Sequence, residues 1–211
     1  ANKNNFRIFS IDSGGNLSIS GVTVTGANIT GNGGAFNNSG ILTISNSILS
    51  GNSGDSGGAI YSGNVSTLTV NNSTISSNLA NNGGGIFNAS TLTLTVNNST
   101  ISSNLANDAG GGIFFDRTGT FTVTNSTLSG NNANRGGAIA NSGSGTLTVS
   151  NSTISGNTTI NGAGIYNTGG STLTVINSTL SANTATNGGG ILNNFGGILS
   201  VSNSTFSGNT A

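Results

Sequence analysis

The chain has 211 residues, of which only four are basic and four are acidic, and it lacks histidine, cysteine, methionine, tryptophan and proline. Four basic residues cannot build a phosphate-binding face, so we expect no nucleic-acid partner. No apolar run approaches the roughly 20 residues of a membrane-spanning helix, so we expect no membrane insertion. Without histidine or cysteine ligands we also expect no metal and no cofactor.

A polar head over positions 1–16 precedes any repeat. The head contains the apolar side chains of Phe6, Ile8 and Ile11, and it is shorter than one of the repeats that follow. We therefore predict an N-terminal partial coil over residues 1–16 and a single repeat domain over residues 17–211, whose C-terminal coil is incomplete.

From Leu17 onward, a segment of the form LTVxNSTISxN recurs with near-constant spacing. Its first apolar residue falls at Leu17, Leu42, Leu68, Leu94, Phe121, Leu147, Leu173 and Leu199. A second apolar column follows a glycine cluster in the same phase, at Phe36, Ile60, Ile86, Ile113, Ile139, Ile165 and Ile191. Polar low-complexity chains are usually disordered, but two columns in phase indicate stacked structural repeats.

Each repeat is rich in Thr, Val, Ile and Asn and is broken by Gly, which favours short strands and turns. In the T-L-T-V segment, Leu68 and Val70 face one way, and Thr67 and Thr69 face the other. Three short strands make one coil, and stacked coils share one core. We predict an all-β, right-handed parallel β-helix (β-solenoid) of about eight coils of about 26 residues. A β-propeller blade needs roughly 40–50 residues, which excludes that alternative.

The inward positions predict three aliphatic columns running the length of a rod about 38 Å long, from a coil spacing of about 4.8 Å. The first column contains Leu42, Leu68, Leu94, Leu147, Leu173 and Leu199. The second contains Ile44, Val70, Val96, Val123, Val149, Val175 and Val201. The third contains Leu49, Ile75, Ile101, Leu128, Ile154, Leu180 and Phe206.

Two columns of asparagine follow the same period, and stacked amides can satisfy backbone groups at bends. We therefore predict structural asparagine ladders in both columns. One column is Asn46, Asn72, Asn98, Asn125, Asn151, Asn177 and Asn203. The other is Asn52, Asn78, Asn104, Asn131, Asn157, Asn183 and Asn209. Because most members of the first column begin the sequence N-S-T, glycosylation is the alternative interpretation.

The glycine clusters and the few charged residues are the remaining candidates for chemistry. A phosphate-binding loop would need G-K-[ST], and Lys3 is the only lysine, so the glycines indicate tight turns. Asp55 and Asp108 occupy equivalent places two coils apart, with Asn81 between them and Arg135 one coil further on. Paired carboxylates suit glycosidic cleavage, but two coil spacings separate these two by about 9.6 Å. We predict that the chain is not an enzyme and has no catalytic residues.

A T-x-T pattern recurs in five consecutive coils and predicts two outward columns of threonine on one flat face. Its members are Thr67, Thr69, Thr93, Thr95, Thr120, Thr122, Thr146, Thr148, Thr172 and Thr174. Regular hydroxyl and methyl rows are similar to the ice-binding faces of solenoid antifreeze proteins. The competing interpretation is that threonine suits strands and forms cross-strand ladders. A further outward column begins at Thr74 and Thr100, so threonine is favoured on another face as well.

Two short motifs carry a family resemblance over nearly the whole chain. G-G-A-[IF] stands at Gly33–Phe36, Gly57–Ile60 and Gly136–Ile139, and F-x-x-N stands at Phe206–Asn209, with Ile or Leu replacing Phe in other coils. These motifs resemble the GGA[ILV] and FxxN repeats of chlamydial polymorphic outer membrane proteins. The resemblance implies a secreted or surface-bound β-helix, extracellular or at the cell surface, with a role in adhesion.

The two ends of the chain suggest how copies could meet. The segment from Leu199 to Ala211 and the head over positions 1–16 are together close to one coil in length. Soluble solenoids normally cap their ends, and no cap is evident. We therefore expect an extracellular structural protein whose copies join head to tail into a filament, with a fragment of a larger adhesin as the alternative. Molecules of the cell surface and polysaccharides are the alternative partners. The residues expected to make the end-to-end contacts are Phe6, Ile8, Ile11, Leu199, Val201 and Phe206.

Overall fold

A computed structural model describes residues 5–211, so the start of the head, which includes Lys3, lies outside the described residues. The described chain contains 26 strands that wind into eight successive coils. The first four coils contain β1 (Phe9–Ile11), β2 (Asn16–Ser20), β3 (Thr23–Thr25), β4 (Phe36–Asn38), β5 (Ile41–Ser45), β6 (Ile48–Ser50), β7 (Ile60–Asn64), β8 (Thr67–Asn71), β9 (Thr74–Ser76), β10 (Leu79–Asn82), β11 (Ile86–Ser90), β12 (Thr93–Asn97) and β13 (Thr100–Ser102).

The last four coils repeat this order with the same strand lengths at most positions. After β14 (Leu105–Ala109), which closes the fourth coil, they contain β15 (Ile113–Phe115), β16 (Thr120–Thr124), β17 (Thr127–Ser129), β18 (Ile139–Asn141), β19 (Thr146–Ser150), β20 (Thr153–Ser155), β21 (Ile165–Asn167), β22 (Thr172–Ile176), β23 (Thr179–Ser181), β24 (Ile191–Asn193), β25 (Ile198–Ser202) and β26 (Thr205–Ser207). Residues 5–211 contain no helix that is long and apolar enough to span a membrane.

Three eight-stranded parallel sheets form the sides of the solenoid. Sheet 1 runs β1-β4-β7-β11-β15-β18-β21-β24, sheet 2 runs β2-β5-β8-β12-β16-β19-β22-β25, and sheet 3 runs β3-β6-β9-β13-β17-β20-β23-β26. Each strand pairs with the equivalent strand of the next coil, as Leu68 with Leu94 and Thr69 with Thr95. The predicted β-solenoid of about eight coils is therefore confirmed.

A fourth, less regular side closes each coil between sheet 3 and sheet 1. It contains the short pair β10-β14 and a series of isolated parallel bridges. The pairing of β10 with β14 shifts register, because Ala80 pairs with Ala106 but Asn82 pairs with Ala109. This bulge accommodates the single extra residue that makes the interval from Leu94 to Phe121 longer than the interval from Leu68 to Leu94.

The core consists of the predicted inward columns, which are fully buried in the inner coils. Leu94, Val96 and Ile101 have no exposed surface, and the same holds for their equivalents in the neighbouring coils. Phe121 replaces leucine in the first column and packs at 5.7 Å between ring centroids against Phe115. In the first coil, Leu17 and Ile19 are partly buried and Val24 is buried. The columns are exposed in the last coil of the described chain, which no further described coil covers.

Candidate functional surfaces

The buried asparagine column is an unbroken hydrogen-bonded ladder, as predicted. The Nδ2 of Asn78 donates to the Oδ1 of Asn104 at 2.9 Å and to the backbone oxygen of Leu49 at 3.1 Å. The backbone N–H of Asn78 also donates to the Oδ1 of Asn104 at 3.0 Å. The same amide-to-amide bonds join each step from Asn52 to Asn209. Each inner amide thus has partners for both donors and both acceptor positions, which makes its burial favourable.

The other asparagine column is not a ladder, so that prediction is wrong. From Asn46 to Asn203 its members have φ between 47° and 50° and lie exposed at the turn between sheets 2 and 3. Among the described residues no hydrogen bond joins successive amides of this column. The physical reason is that this turn requires the left-handed conformation, which asparagine tolerates better than most residues.

The serine that follows each turn asparagine makes the ladder at this corner instead. The N–H of Ser73 donates to the Oγ of Ser99 at 3.1 Å, and the Oγ of Ser73 donates to the backbone oxygen of Asn71 at 2.7 Å. Equivalent bonds run from Ser47 to Ser204. The sequence contains an indication of this serine ladder, because the N-S pair repeats at the interval of the coils.

A third polar column, also missed from sequence, lines the corner between sheets 1 and 2. The Nδ2 of Asn141 donates to the Oδ1 of Asn167 at 2.8 Å, and the Nδ2 of Asn167 donates to the Oδ1 of Asn193 at 2.7 Å. Phe115 interrupts this column, and the fully buried amide of Asn88 has no hydrogen-bond partner. The sequence does indicate this third column, because an asparagine stands two residues after most of the inward isoleucines.

The glycine clusters are structural, as predicted. Gly83 has φ of 61°, and a Cβ on Gly84 would collide with the backbone oxygen of Gly111 in the next coil. Glycine is therefore required both for the left-handed turn and for the close approach of stacked backbones.

The T-x-T threonines lie on the outer side of sheet 2 in two aligned columns. Thr95 pairs with Thr69 and Thr122, while Thr93 pairs with Thr120. The column that contains Thr95 continues beyond the predicted members through Thr43 and ends in serine at Ser18 and Ser200. Sheet 3 presents a separate outward threonine column that contains Thr74, Thr100, Thr127, Thr153, Thr179 and Thr205.

The two aspartates considered as a catalytic pair have different surroundings. Both carboxylate oxygens of Asp108 accept hydrogen bonds from the Arg135 guanidinium at 2.7 Å. Asp55 instead lines a shallow groove of about 290 Å³ together with Asn81 and Asn107. Within residues 5–211, no group of three histidine, cysteine or acidic side chains is placed to hold a metal ion.

Asp116 is a partly buried carboxyl group beside Arg117 and Ser142. Burial raises the pKa of Asp116 above its ordinary value, while the Arg117 guanidinium and a hydrogen bond with Ser142 act in the opposite direction. Arg117 also lines a second groove of about 310 Å³ with Tyr61 and Val65. Beside this groove, outward aromatic rings stack along sheet 1, with Tyr61 and Phe87 centroids 5.4 Å apart.

The two edges of the solenoid differ in how far they are covered. At the C-terminal edge, Leu199, Val201 and Phe206 are 38%, 42% and 45% exposed. At the N-terminal edge, Phe6 and Ile8 are 42% and 39% exposed, whereas Ile11 is buried. Ile11 therefore lies in the core of this structure, and of the apolar head residues expected to make end contacts only Phe6 and Ile8 are exposed.

Three parallel sheets, a shared aliphatic core and internal side-chain ladders define a β-solenoid repeat protein. The profile of the family described as "right handed beta helix region" matches residues 7–180. The chain belongs to this right-handed β-helix family. No curated protein and no solved structure matches it.

Proposed function

We propose that the chain is a non-enzymatic extracellular structural protein whose solenoids join end to end. For the 211-residue chain, the observation that supports the proposal is the change in exposure between the two coils that contain Leu173 and Leu199. Leu173, Val175 and Leu180 are fully buried, whereas the equivalent Leu199, Val201 and Phe206 of the next coil are each more than one third exposed. An apolar edge with unpaired strand backbones is a template for another β-coil.

The first coil of a second copy has the geometry to cover this edge. The free edges of β1, β2 and β3 continue the same three sheets, and Leu17 and Ile19 of β2 are only partly buried. Parallel stacking of β25 on β2 of the next copy would extend the core columns without a break. Because the two joined edges differ, the contact is heterologous and generates an open filament.

Within the described part of the chain, residues 5–8 leave those three strand edges free. Phe6 pairs in antiparallel fashion with Asn28, and Arg7 donates hydrogen bonds to the backbone oxygens of Asn32 and Gly33. These contacts lie on the fourth side of the coil. Residues 5–8 therefore cover one corner only, and the apolar Phe6 and Ile8 add contact surface beside the strands.

Electron microscopy and light scattering of the purified 211-residue chain test this proposal. We expect filaments whose length grows with protein concentration. The double variant Val201→Asp, Phe206→Asp should stay as single solenoids, because a buried unpaired charge would be placed in the joint. Thr148→Asp on the side of an inner coil is the matched control and should assemble. Single short rods of the parent chain at every concentration would refute the proposal and favour a segment of a longer adhesin.

Surface attachment is a second part of the proposal. The G-G-A-[IF] and F-x-x-N motifs support it through their resemblance to polymorphic outer membrane proteins, which implies export and adhesion. The low charge of the chain also favours association with itself and with neutral partners such as polysaccharides. Binding of fluorescently labelled solenoids to immobilised neutral polysaccharide, compared with binding to albumin-coated surfaces, tests this part.

Ice binding is a second candidate function, favoured by the aligned threonine columns of sheet 2. The triple variant Thr95→Tyr, Thr122→Tyr, Thr148→Tyr should abolish thermal hysteresis by breaking the flat face. The control Thr100→Tyr, Thr127→Tyr, Thr153→Tyr alters the outward column of sheet 3 and should retain activity. The absence of thermal hysteresis in the parent chain would refute ice binding.

A further inference from the structure

A row of exposed asparagines runs along the corner between sheets 2 and 3. In six coils the asparagine of this left-handed turn begins the sequence N-S-T, which matches the acceptor sequence N-x-[ST] for attachment of a glycan to asparagine. These six residues are Asn72, Asn98, Asn125, Asn151, Asn177 and Asn203. Because their amides form no ladder, their side chains are available for that reaction.

The surroundings of Asn72 show why this turn suits modification. Asn72 is exposed, and within residues 5–211 its side-chain amide makes no hydrogen bond. The neighbouring Ser73 makes the polar contact instead, because its Oγ donates to the backbone oxygen of Asn71 at 2.7 Å. Thr74, the third residue of the acceptor sequence, lies in the outward column of sheet 3. A glycan on Asn72 therefore displaces no hydrogen bond of the folded coil.

Two acceptor sequences in the core provide the contrast. Asn157 begins N-T-T and is fully buried, and its Nδ2 donates to the Oδ1 of Asn183 at 2.8 Å and to the backbone oxygen of Leu128 at 3.1 Å. Asn88 begins N-A-S and is also fully buried. A bulky glycan on either amide cannot fit inside a close-packed coil. The fold thus tolerates glycans on the turn asparagines and excludes them at Asn88 and Asn157.

The turn also contains a natural control. Asn46 has the same exposed conformation, with φ of 50°, but Ile48 stands where an acceptor sequence needs serine or threonine. Asn46 therefore shares the geometry of the row and lacks its acceptor hydroxyl. A modification that follows the acceptor sequence should omit Asn46.

The reaction needs a glycosyl donor whose first sugar is linked through its anomeric carbon to a diphosphate. The Nδ2 of asparagine attacks this carbon, and a new C–N bond forms. The bond from the anomeric carbon to the phosphate oxygen breaks, and the diphosphate leaves with the bonding electrons. The Nδ2 loses one proton. The reaction consumes only the donor and the asparagine, so no oxidant or reductant is required.

The spacing of the row limits how many of its positions can carry a glycan at once. Adjacent coils pair residue for residue beside the turn, as Thr74 with Thr100, so successive acceptors are about 4.8 Å apart. A bulky glycan is wider than this spacing. A glycan on Asn98 therefore crowds Asn72 and Asn125, and the occupied positions should belong to non-adjacent coils.

We propose that the N-S-T asparagines between sheets 2 and 3 are N-glycan acceptor sites, occupied in non-adjacent coils. The row lies on the side of the solenoid and away from the strand edges that end-to-end assembly uses. Hydrated glycans there keep the sides of two solenoids apart, which four basic and four acidic residues are too few to do. This spacing role rests on the proposed extracellular assembly, whereas the capacity to accept glycans does not.

The first experiment maps occupancy site by site. The chain is fused to a cleavable secretion signal and expressed in a eukaryotic secretion host, and secreted and retained material are both analysed by glycopeptide mass spectrometry. We expect glycans on Asn72, Asn98 and Asn125 and none on Asn46. Secreted, folded chain should carry none on Asn157. If glycosylation at Asn157 blocks folding, Thr159→Ala removes that acceptor sequence and should restore secretion. An unmodified row in all material, or folded chain with a glycan on Asn157, would overturn the proposal.

Competition between neighbouring coils is tested by removing one acceptor. Thr100→Ala abolishes the acceptor sequence of Asn98 and keeps the turn asparagine. Occupancy of Asn72 and Asn125 should then rise by up to about twofold, because positions about 4.8 Å apart exclude one another. The control Thr95→Ala alters an outward threonine of sheet 2 and should change neither. Unchanged occupancy in Thr100→Ala would refute the restriction to non-adjacent coils.

Electron microscopy of glycosylated and unmodified chain tests the spacing role. We expect filaments of the unmodified chain to associate side by side and glycosylated filaments to stay single. If neither form assembles, the proposed function fails, while the acceptor row stands or falls on the mapping. If glycosylated filaments associate side by side as strongly as unmodified ones, the spacing role is refuted.

Discussion

Phe115 stands directly one coil above Asn88, at a position that asparagine occupies in five of the other coils. The consequence is a buried amide whose oxygen and nitrogen both lack hydrogen-bond partners. In compensation, the Phe115 ring fills the core beside Phe121. The column therefore gains apolar contact at one coil and leaves an unsatisfied amide at the next.

Replacing the unpaired amide should not weaken the protein. We expect Asn88→Leu to leave the free energy of unfolding unchanged or raise it by about 1–2 kcal/mol, since an unsatisfied buried amide costs that much. The matched variant Asn104→Leu, in the complete ladder, should lower it by about 2–4 kcal/mol because it strands the partners of that amide. Urea unfolding measures both. Equal destabilisation by the two variants would show that Asn88 is satisfied in solution.

Position along the solenoid should decide the cost of a core truncation. Leu94→Ala should destabilise the protein by about 2–5 kcal/mol, because Leu94 is fully buried and a cavity remains. Leu199→Ala, in the same column, should cost clearly less in the single solenoid, since Leu199 is already 38% exposed. Thermal unfolding of dilute samples compares them. A large loss at Leu199 in dilute samples would indicate that the edge is already covered.

The surface ion pair should contribute little. Arg135 and Asp108 are 44% and 49% exposed, and solvent screens pairs of this kind. We expect Arg135→Gln to change the free energy of unfolding by less than about 1 kcal/mol. The measurement is denaturant unfolding at low and high salt. A larger effect that disappears in high salt would instead show a strong electrostatic role for the pair.

Asp116 should make the protein less stable as the pH rises. Because burial raises its pKa in the folded state, the folded protein binds more protons than the unfolded chain between the unfolded and folded pKa values. Its contribution is therefore most favourable below its unfolded pKa and is lost as the pH rises through the raised folded pKa. Asp116→Asn should flatten that part of the stability profile. A profile identical to that of the parent would contradict the expectation.

Most of the fold follows from the repeat. The near-constant interval and the two apolar columns predict the coils, the strand pairing and the core, and the structure has all three. This works because stacking equivalent residues is the only way each small coil can bury its apolar side. The same logic correctly predicts the buried ladder from Asn52 to Asn209.

The distinction between the two asparagine columns required the backbone conformation. Asn72 and Asn78 look alike in sequence, yet Asn72 occupies an exposed left-handed turn and Asn78 points into the coil. Local spacing does not show which way a residue at a bend turns. The serine ladder and the interrupted column at Phe115 were missed for the same reason.

The sequence by itself determined the solenoid, its period and its outward threonine columns, because strand alternation and stacking depend only on residue order. Only the tertiary structure decided which polar groups find partners. It paired Asp108 with Arg135 and left Asn88 without a partner. Those outcomes depend on how one coil lies against the next, and residue order alone does not specify that contact at the level of single atoms.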